Sequence, residues 1–254
     1  MKSYKFYSVF VLFMMLFIAL ISCREEKLRK EQLDITAQEI WDKTITYHDP
    51  LGKWDSFGGE MHMVTVIGKN NVVEEIIEIN KPENFYKCTW INGDDKLIKG
   101  MKDNSYFYSI NENQAPSDEL LKAYGFTDDN TALYKEHHTS HFGLPMELKS
   151  SGMTLDDHVE LIEYDGRECY ALTFIGLPEN VKHSYYEGKW ILYVDAVNFA
   201  MRGIQLEELA EYPPSYAILS GEIIINGVKI PHTKAAFKSE DNSHSWTSIY
   251  TPLN

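Results

Sequence analysis

The feature that most constrains the fold is a series of short strand-like runs separated by residues typical of tight turns. Between residues 61 and 110, five runs of apolar and β-branched residues alternate with clusters of Gly, Asn, Asp and Pro, which is typical of an antiparallel meander. Connections this short leave no room for the crossover that parallel strands need. The pattern resumes after residue 158, where Asp165-Gly166 and Asn226-Gly227 are hairpin turn signals.

Three stretches have helical character instead. The first, from about Ala37 to Tyr47, places Ile40, Trp41, Thr44 and other residues of one largely apolar face at helical spacing. Asp49-Pro50 ends it, because proline cannot continue the hydrogen-bond ladder. The two others lie between the two groups of strands, at Ser117–Tyr124 and Thr131–Met146.

These patterns predict a mostly β protein of the α+β class. We expect residues 35–254 to form one domain, a single strongly curved antiparallel sheet of about ten or eleven strands with helices against one face. Two long hairpin strands, 218–225 and 228–237, are predicted to flank Asn226-Gly227. No internal repeat and no second-domain linker is visible in the sequence.

The amino terminus has the features of an export signal. Lys2 and Lys5 precede a nearly unbroken apolar run from Phe6 to Ile21, slightly shorter than a transmembrane helix requires. The following Leu20-Ile21-Ser22-Cys23 resembles the lipobox of bacterial lipoproteins. That resemblance implies a signal peptide at 1–22, lipidation of Cys23 and a charged tether across 23–34. An uncleaved signal anchor, or an ordinary signal peptide with an incidental cysteine, is the alternative.

Charge and cysteine content limit the partners. The formal net charge of −14 disfavours nucleic acid, whose binding requires basic stripes, and also direct docking on anionic lipid headgroups. The predicted attachment to the membrane is therefore through the lipid on Cys23, in the cell envelope, and we expect it at the outer membrane, on its periplasmic or surface face. Cys88 and Cys169 either form a disulfide or remain two separately buried thiols.

One segment carries a more specific resemblance. His48-Asp49-Pro50-Leu51-Gly52-Lys53-Trp54, after an amphipathic helix and before a sheet, resembles an uncharacterised family of bacterial envelope lipoproteins whose pattern is similar to the LolA/LolB-like lipoprotein-carrier half-barrel. The resemblance implies that residues 35–254 form a half-barrel with helices on the concave face, and that a hydrophobic ligand, a lipid or lipopeptide, occupies its apolar cavity. We expect no cofactor. Within the segment, His48, Asp49, Pro50, Gly52 and Trp54 are the candidate motif residues.

Each motif residue also has a structural explanation. A histidine at a helix carboxyl end is favoured by the dipole, Gly52 permits a tight turn, and Trp54 can cover the junction. A catalytic pair of His48 and Asp49 is the alternative, although no nucleophile motif accompanies it. We expect these residues to have a structural role.

A histidine cluster is the candidate metal site. His137 and His141 are four residues apart and would share one face of a helix. His138 would point about 100° away, and no further ligand can be assigned from the sequence. We therefore expect no metal, with His137 and His141 as the candidate ligands if one binds.

The chain is predicted not to be an enzyme, because it lacks nucleophile, phosphate-loop and dinucleotide motifs. The leading hypothesis is an envelope lipoprotein that binds a hydrophobic ligand or a protein partner of unknown identity. A metal-assisted hydrolase using His137 and His141, and a structural module of an envelope complex, are the alternatives. The aromatic residues, such as Tyr86 and Trp90 on one strand face, would line either a core or a ligand cavity.

Overall fold

The two ends of the folded chain meet in the middle of one sheet. In the computed structural model, which describes residues 35–69, 71–176, 188–207 and 213–253, strand β1 (Gly58–Ile67) pairs with strand β14 (His244–Leu253) over eight antiparallel residue pairs. The next four strands along the chain lie beyond β1, and the remaining long strands lie beyond β14. Residues Ala37–Asn254 form one compact unit.

Twelve of the described strands form this antiparallel sheet, in the order β5-β4-β3-β2-β1-β14-β13-β10-β9-β8-β7-β6. The sheet does not close, because β5 and β6 remain its two edges. The strands are β1 (Gly58–Ile67), β2 (Asn71–Asn80), β3 (Phe85–Asn92), β4 (Asp95–Lys102), β5 (Ser105–Ile110), β6 (Thr154–Tyr164), β7 (Arg167–Ile175), β8 (Lys189–Asp195), β9 (Met201–Glu207), β10 (Ser215–Ser220), β11 (Ile223–Ile225), β12 (Val228–Ile230), β13 (Thr233–Lys238) and β14 (His244–Leu253).

Helices cover the concave face of the sheet. They are α1 (Ala37–His48), a 3-10 turn (Trp54–Ser56), α2 (Asp118–Ala123), α3 (Asp128–Gly143) and α4 (Met146–Ser150). The ring of Trp41 in α1 packs against Phe174 of β7 at 4.7 Å between centroids, and Phe142 of α3 packs against Tyr250 of β14 at 5.4 Å. The mostly β class, the single antiparallel sheet and the first helix are thus as the sequence predicts.

The hairpin predicted at 218–225 and 228–237 is wrong in its extent. Each predicted strand is broken, at Gly221 and at Pro231-His232, so that β11 and β12 form a separate two-stranded ribbon. Gly221 has φ +65°, and Pro231 lacks the N–H that a ladder needs. The ribbon turns its buried residues, Ile225, Val228 and Ile230, into the core beside Trp54 and Phe57.

The structure also corrects one predicted helix and shows the state of the two cysteines, while the predictions for the amino terminus lie outside the described residues. The helix predicted at Thr131–Met146 is two helices, α3 and α4, divided at Leu144-Pro145 because proline ends the ladder. Cys88 and Cys169 are both buried free thiols. The signal peptide, Cys23 and the tether lie outside the described residues. Of the helices that the structure describes, none has the length and apolar character needed to cross a membrane.

Candidate functional site

His48 joins three elements that are distant in sequence. Its Nδ1 donates to the carbonyl of Lys229 in β12 at 2.8 Å, and its Nε2 accepts from the backbone N–H of Met201 in β9 at 3.0 Å. This pairing requires the neutral Nδ1–H tautomer. Burial lowers the pKa of His48 to about 4, so the ring is neutral at physiological pH. Helix α1 is thereby fixed to the sheet and to the ribbon.

Asp49 organises the turn that follows α1. Its two carboxylate oxygens accept from the backbone N–H of Lys53 at 2.7 Å and of Trp54 at 2.9 Å. Gly52 lies between Asp49 and Lys53 in the sequence and has φ +61°, a backbone conformation that glycine adopts without strain. The spacing of the motif therefore follows from one turn, in which a carboxylate satisfies the first amides of the 3-10 turn.

Trp54 extends this joint to the helices. Its side chain is only 3% exposed, and its indole Nε1 donates to Glu147 of α4 at 2.6 Å. The ammonium of Lys81 lies 4.5 Å from the ring centroid and also pairs with Glu147. A Cβ at Gly143 would come within 2.0 Å of the indole, so glycine is needed there for α3 to approach.

The motif residues thus meet in one place, which we call the joint: His48, Asp49, Gly52 and Trp54. Both ring nitrogens of His48 bond to backbone groups, and the carboxylate of Asp49 bonds to backbone amides rather than to His48. This arrangement offers no proton relay between His48 and Asp49. It favours the structural interpretation of the pair over the catalytic one.

A second group of polar side chains lies between α3 and the sheet, and we call it the seam: His138, His141, Glu75, Lys99 and Lys234. The register places Glu75, Lys99 and Lys234 on the concave face, where apolar side chains normally lie. All five are buried. Buried charges are costly unless paired, so the seam needs a reason other than packing.

Lys234 and His141 form one end of the seam. The Nζ of Lys234 donates to Nε2 of His141 at 2.8 Å, and Nδ1 of His141 lies 3.4 Å from the hydroxyl of Tyr250. Burial lowers the pKa of Lys234 to about 7. Burial, followed by the neighbouring His137 and Lys234, lowers the pKa of His141 well below its ordinary value.

Lys99 and Glu75 form the other end. The Nζ of Lys99 lies 3.0 Å from the centroid of Tyr134 and 4.2 Å from that of Trp90, so aromatic faces replace water around it. Glu75 accepts from the Trp90 indole and from Cys88 Sγ. Burial raises the pKa of Glu75 and lowers that of Lys99 to about 8. The charge of Glu75 and the aromatic rings therefore offset the cost of burying the Lys99 ammonium.

The predicted metal candidates do lie together, because the rings of His137 and His141 are 4.0 Å apart at their centroids. Both nitrogens of His141, however, already face Lys234 and Tyr250. Within the described residues, no three His, Cys, Asp or Glu side chains are arranged to hold a metal ion. The geometry therefore gives the metal hypothesis no third ligand.

A surface cleft of about 280 Å³ opens beside the joint. A second, smaller void of about 10 Å³ lies at Lys234, with room for about one water molecule. Met201 and Pro231 line both spaces. The cleft is lined by Tyr47, His48, Ala200, Met201, Arg202, Gly221, Glu222, Ile230 and Pro231; the void is lined by His141, Leu144, Met201, Ile204, Leu219, Pro231, Lys234 and Tyr250.

The sequence analysis missed the three charged residues of the seam, although a signal was present. Glu75 is in phase with Ile77 and Ile79 along β2, and Lys99 is in phase with Leu97 and Met101 along β4. A charge at an inward position of an alternating strand predicts a buried polar group. Lys234 has the same position in β13, in phase with the buried Ala236.

Comparison with known proteins gives a family and two distant structures. The sequence model described as "Family of unknown function (DUF6503)" matches residues 8–211. No curated protein matches the chain. A LolA superfamily protein from Nitrosomonas europaea is 14% identical, with a TM-score of 0.47 over 87% of this chain and 94% of its own. A DUF1329 family protein from Desulfovibrio piger is 10% identical, with a TM-score of 0.49 over 85% and 91%.

Proposed function

We propose that this chain, which belongs to the family of unknown function DUF6503, is a lipid-anchored envelope protein that binds a hydrophobic ligand without catalysing a reaction. The observation that supports this role is the cleft beside the joint, which shares Met201 and Pro231 as lining residues with the void at Lys234. Ligand sites are typically concave, largely apolar and provided with a few polar groups. The void has that character, with three polar side chains among apolar ones, and the cleft beside it has a mixed polar and apolar lining.

The interior is closed in this structure. Met61, Ile77 and Leu192, on the concave face, are 0% exposed, so the central face offers no groove and no water-sized void against them. A ligand must therefore enter by moving the elements that cover the sheet. Met201 suits such a movement, because methionine is unbranched and adapts to irregular surfaces.

Helix α3, which covers part of the sheet, also buries few apolar side chains. Of the buried residues of α3, five are polar, namely Thr131, His138, Thr139, Ser140 and His141. Apolar burial provides most of the free energy that holds a helix on a sheet, and α3 has little of it toward its amino end. We infer that α3 is the element that yields when a ligand enters.

Native mass spectrometry of the full chain, released from mild detergent, tests the ligand hypothesis. We expect a neutral long-chain alcohol, hexadecanol, to bind at a stoichiometry of one. Met201→Trp, which fills the passage to the void, should abolish this binding, while Leu51→Trp, at an exposed position, should not. Failure of the wild-type chain to bind either hexadecanol or a co-purifying lipid would overturn the proposal.

The anchor is proposed on the amino-terminal sequence alone. Cys23 follows an apolar run and a small residue, and two or more acyl chains hold a protein stably on a membrane, whereas one holds it only marginally. We expect wild-type protein in the membrane fraction with an acyl mass on Cys23. Cys23→Ala should abolish that modification, and an unchanged mass would contradict the anchor.

A further inference from the structure

Lys234 is a buried cation without a counter-charge. It is 8% exposed, and burial is the sole influence on its pKa, with no compensating carboxylate. No described Asp or Glu forms an ion pair with it. By contrast Lys99, the other buried lysine, has three aromatic faces around it and the charge of Glu75 nearby.

The titratable and aromatic groups that face Lys234 come from α3 and β14, while the residues of β9 and β10 at the void are apolar. Helix α3 contributes His141 and, beyond it, His137; strand β14 contributes Tyr250 and the ring of Trp246 at 5.5 Å from Nζ. All are neutral when the histidines are deprotonated, and burial lowers the pKa of His137 to about 3. The ammonium is therefore surrounded by hydrogen-bonding groups and rings, none of them an anion.

This lysine points into the void that the cleft approaches. Lys234, His141 and Tyr250 supply the polar wall of the void, and the rest is apolar. An ammonium, a phenol and an imidazole at one end of an apolar space complement a small anion that carries an apolar chain. A carboxylate on Nζ would replace the neutral imidazole by a charged acceptor, and such hydrogen bonds are roughly twice as strong.

We propose that Lys234 binds the carboxylate of a long-chain fatty acid, with the hydroxyl of Tyr250 as a second donor and the chain directed through the passage between Met201 and Pro231. This inference rests on the proposed function and adds the headgroup. A single cation matches a carboxylate monoanion, whereas a phosphate dianion would leave an unpaired charge in a buried space.

Paired ligands of equal chain length test the headgroup. Palmitate and hexadecanol have the same number of carbon atoms and differ in the headgroup, an anionic carboxylate against a neutral hydroxyl. Their affinities for the full chain, measured by native mass spectrometry under identical detergent conditions, therefore compare the two headgroups. We expect palmitate to bind about tenfold more tightly or better. Lys234→Met should remove this preference while hexadecanol binding persists, and Lys234→Gln should behave in the same way if the methionine variant folds poorly.

Lys99→Met is the matched control, because it removes the other buried lysine and should retain the preference for palmitate. Equal binding of palmitate and hexadecanol to the wild-type chain would overturn the headgroup assignment and leave the proposed function intact. A preference that survives in both Lys234 variants would overturn the role of Lys234. Absence of binding by both ligands would overturn the proposed function together with this inference.

Discussion

The joint and the seam both bury histidines, and His48 of the joint and His141 of the seam have opposite surroundings. His48 pairs both nitrogens with backbone groups of Lys229 and Met201. His141 faces the side chains of Lys234 and Tyr250 instead. Backbone groups must be satisfied in any folded state, so the contacts of His48 serve the fold. The contacts of His141 instead hold the ammonium of Lys234 in place, a charged group that the fold itself does not need.

This difference distinguishes buried polar groups that stabilise the fold from a buried charge that is available to a ligand. In the joint, the buried polar atoms of His48 and Asp49 find partners, and a ligand would add nothing to them. In the seam, Lys234 remains without a counter-charge, which lowers stability at neutral pH. Disruption of the joint should therefore reduce stability, whereas removal of charge from the seam should increase it.

The largest expected effect is in the joint. Trp54→Ala removes a 3% exposed indole and its hydrogen bond to Glu147, and should reduce the free energy of unfolding by about 3–5 kcal/mol. Urea titration followed by circular dichroism measures this. The control is Trp246→Ala, which removes a half-buried indole and should cost less. An equal cost for both would show that the joint is not a special point of stability.

A change of opposite sign is expected in the seam. Lys234→Met removes a lone buried charge while keeping a chain of similar length, and should increase the free energy of unfolding at pH 7 by about 1–4 kcal/mol. Lys99→Met should give a smaller gain, since the rings and Glu75 offset that charge. The same urea titration applies, and destabilisation by Lys234→Met would show that the ammonium contributes to folding.

His48→Ala should cost about 1–3 kcal/mol, because it leaves the Met201 N–H and the Lys229 carbonyl without their partner. Tyr47→Phe is its neighbour and control, losing only a surface hydrogen bond to Glu222. Differential scanning calorimetry should show a clearly lower Tm for His48→Ala alone. Equal Tm values for the two variants would mean that His48 does not fix α1 to the sheet.

The smallest expected effect is a dependence of stability on pH. The lowered pKa of Lys234, about 7 against an ordinary 10.5, means that stability is highest above pH 10.5 and is lost as the pH falls toward 7. The Tm of the wild-type protein should therefore increase from pH 7 to pH 9.5. Lys234→Met should show a flatter profile over this range, and an identical slope would contradict a buried ammonium.

A second window lies at acidic pH and concerns the joint. His48, with its pKa lowered to about 4, stabilises the fold above its ordinary pKa of 6.5, and this contribution is lost as the pH falls toward 4. Because the histidines of the seam act in the same direction, only the difference between wild type and His48→Gln reports on His48. That difference in Tm should shrink between pH 6.5 and pH 4.

The sequence predicts the helices and strands better than the contacts between residues distant in the chain. Alternation and turn residues identify the meander, and helical spacing identifies α1 with its buried face of Ile40, Trp41 and Thr44. No local pattern shows that His48 meets Met201, 153 positions away. The break at Pro231 is visible as a proline, but the ribbon it creates depends on packing against Trp54 and Phe57, which only the tertiary structure determines.

The central claim is that Lys234 is a buried, unpaired ammonium that receives the carboxylate of an acyl ligand. Selective isotopic labelling of lysine, with NMR titration of the Lys234 side chain assigned by Lys234→Met, measures its pKa without and with palmitate. The account predicts a pKa near 7 without ligand and a clear increase when palmitate binds, because an anion stabilises the charged form. A pKa near the ordinary 10.5 that palmitate leaves unchanged would contradict it.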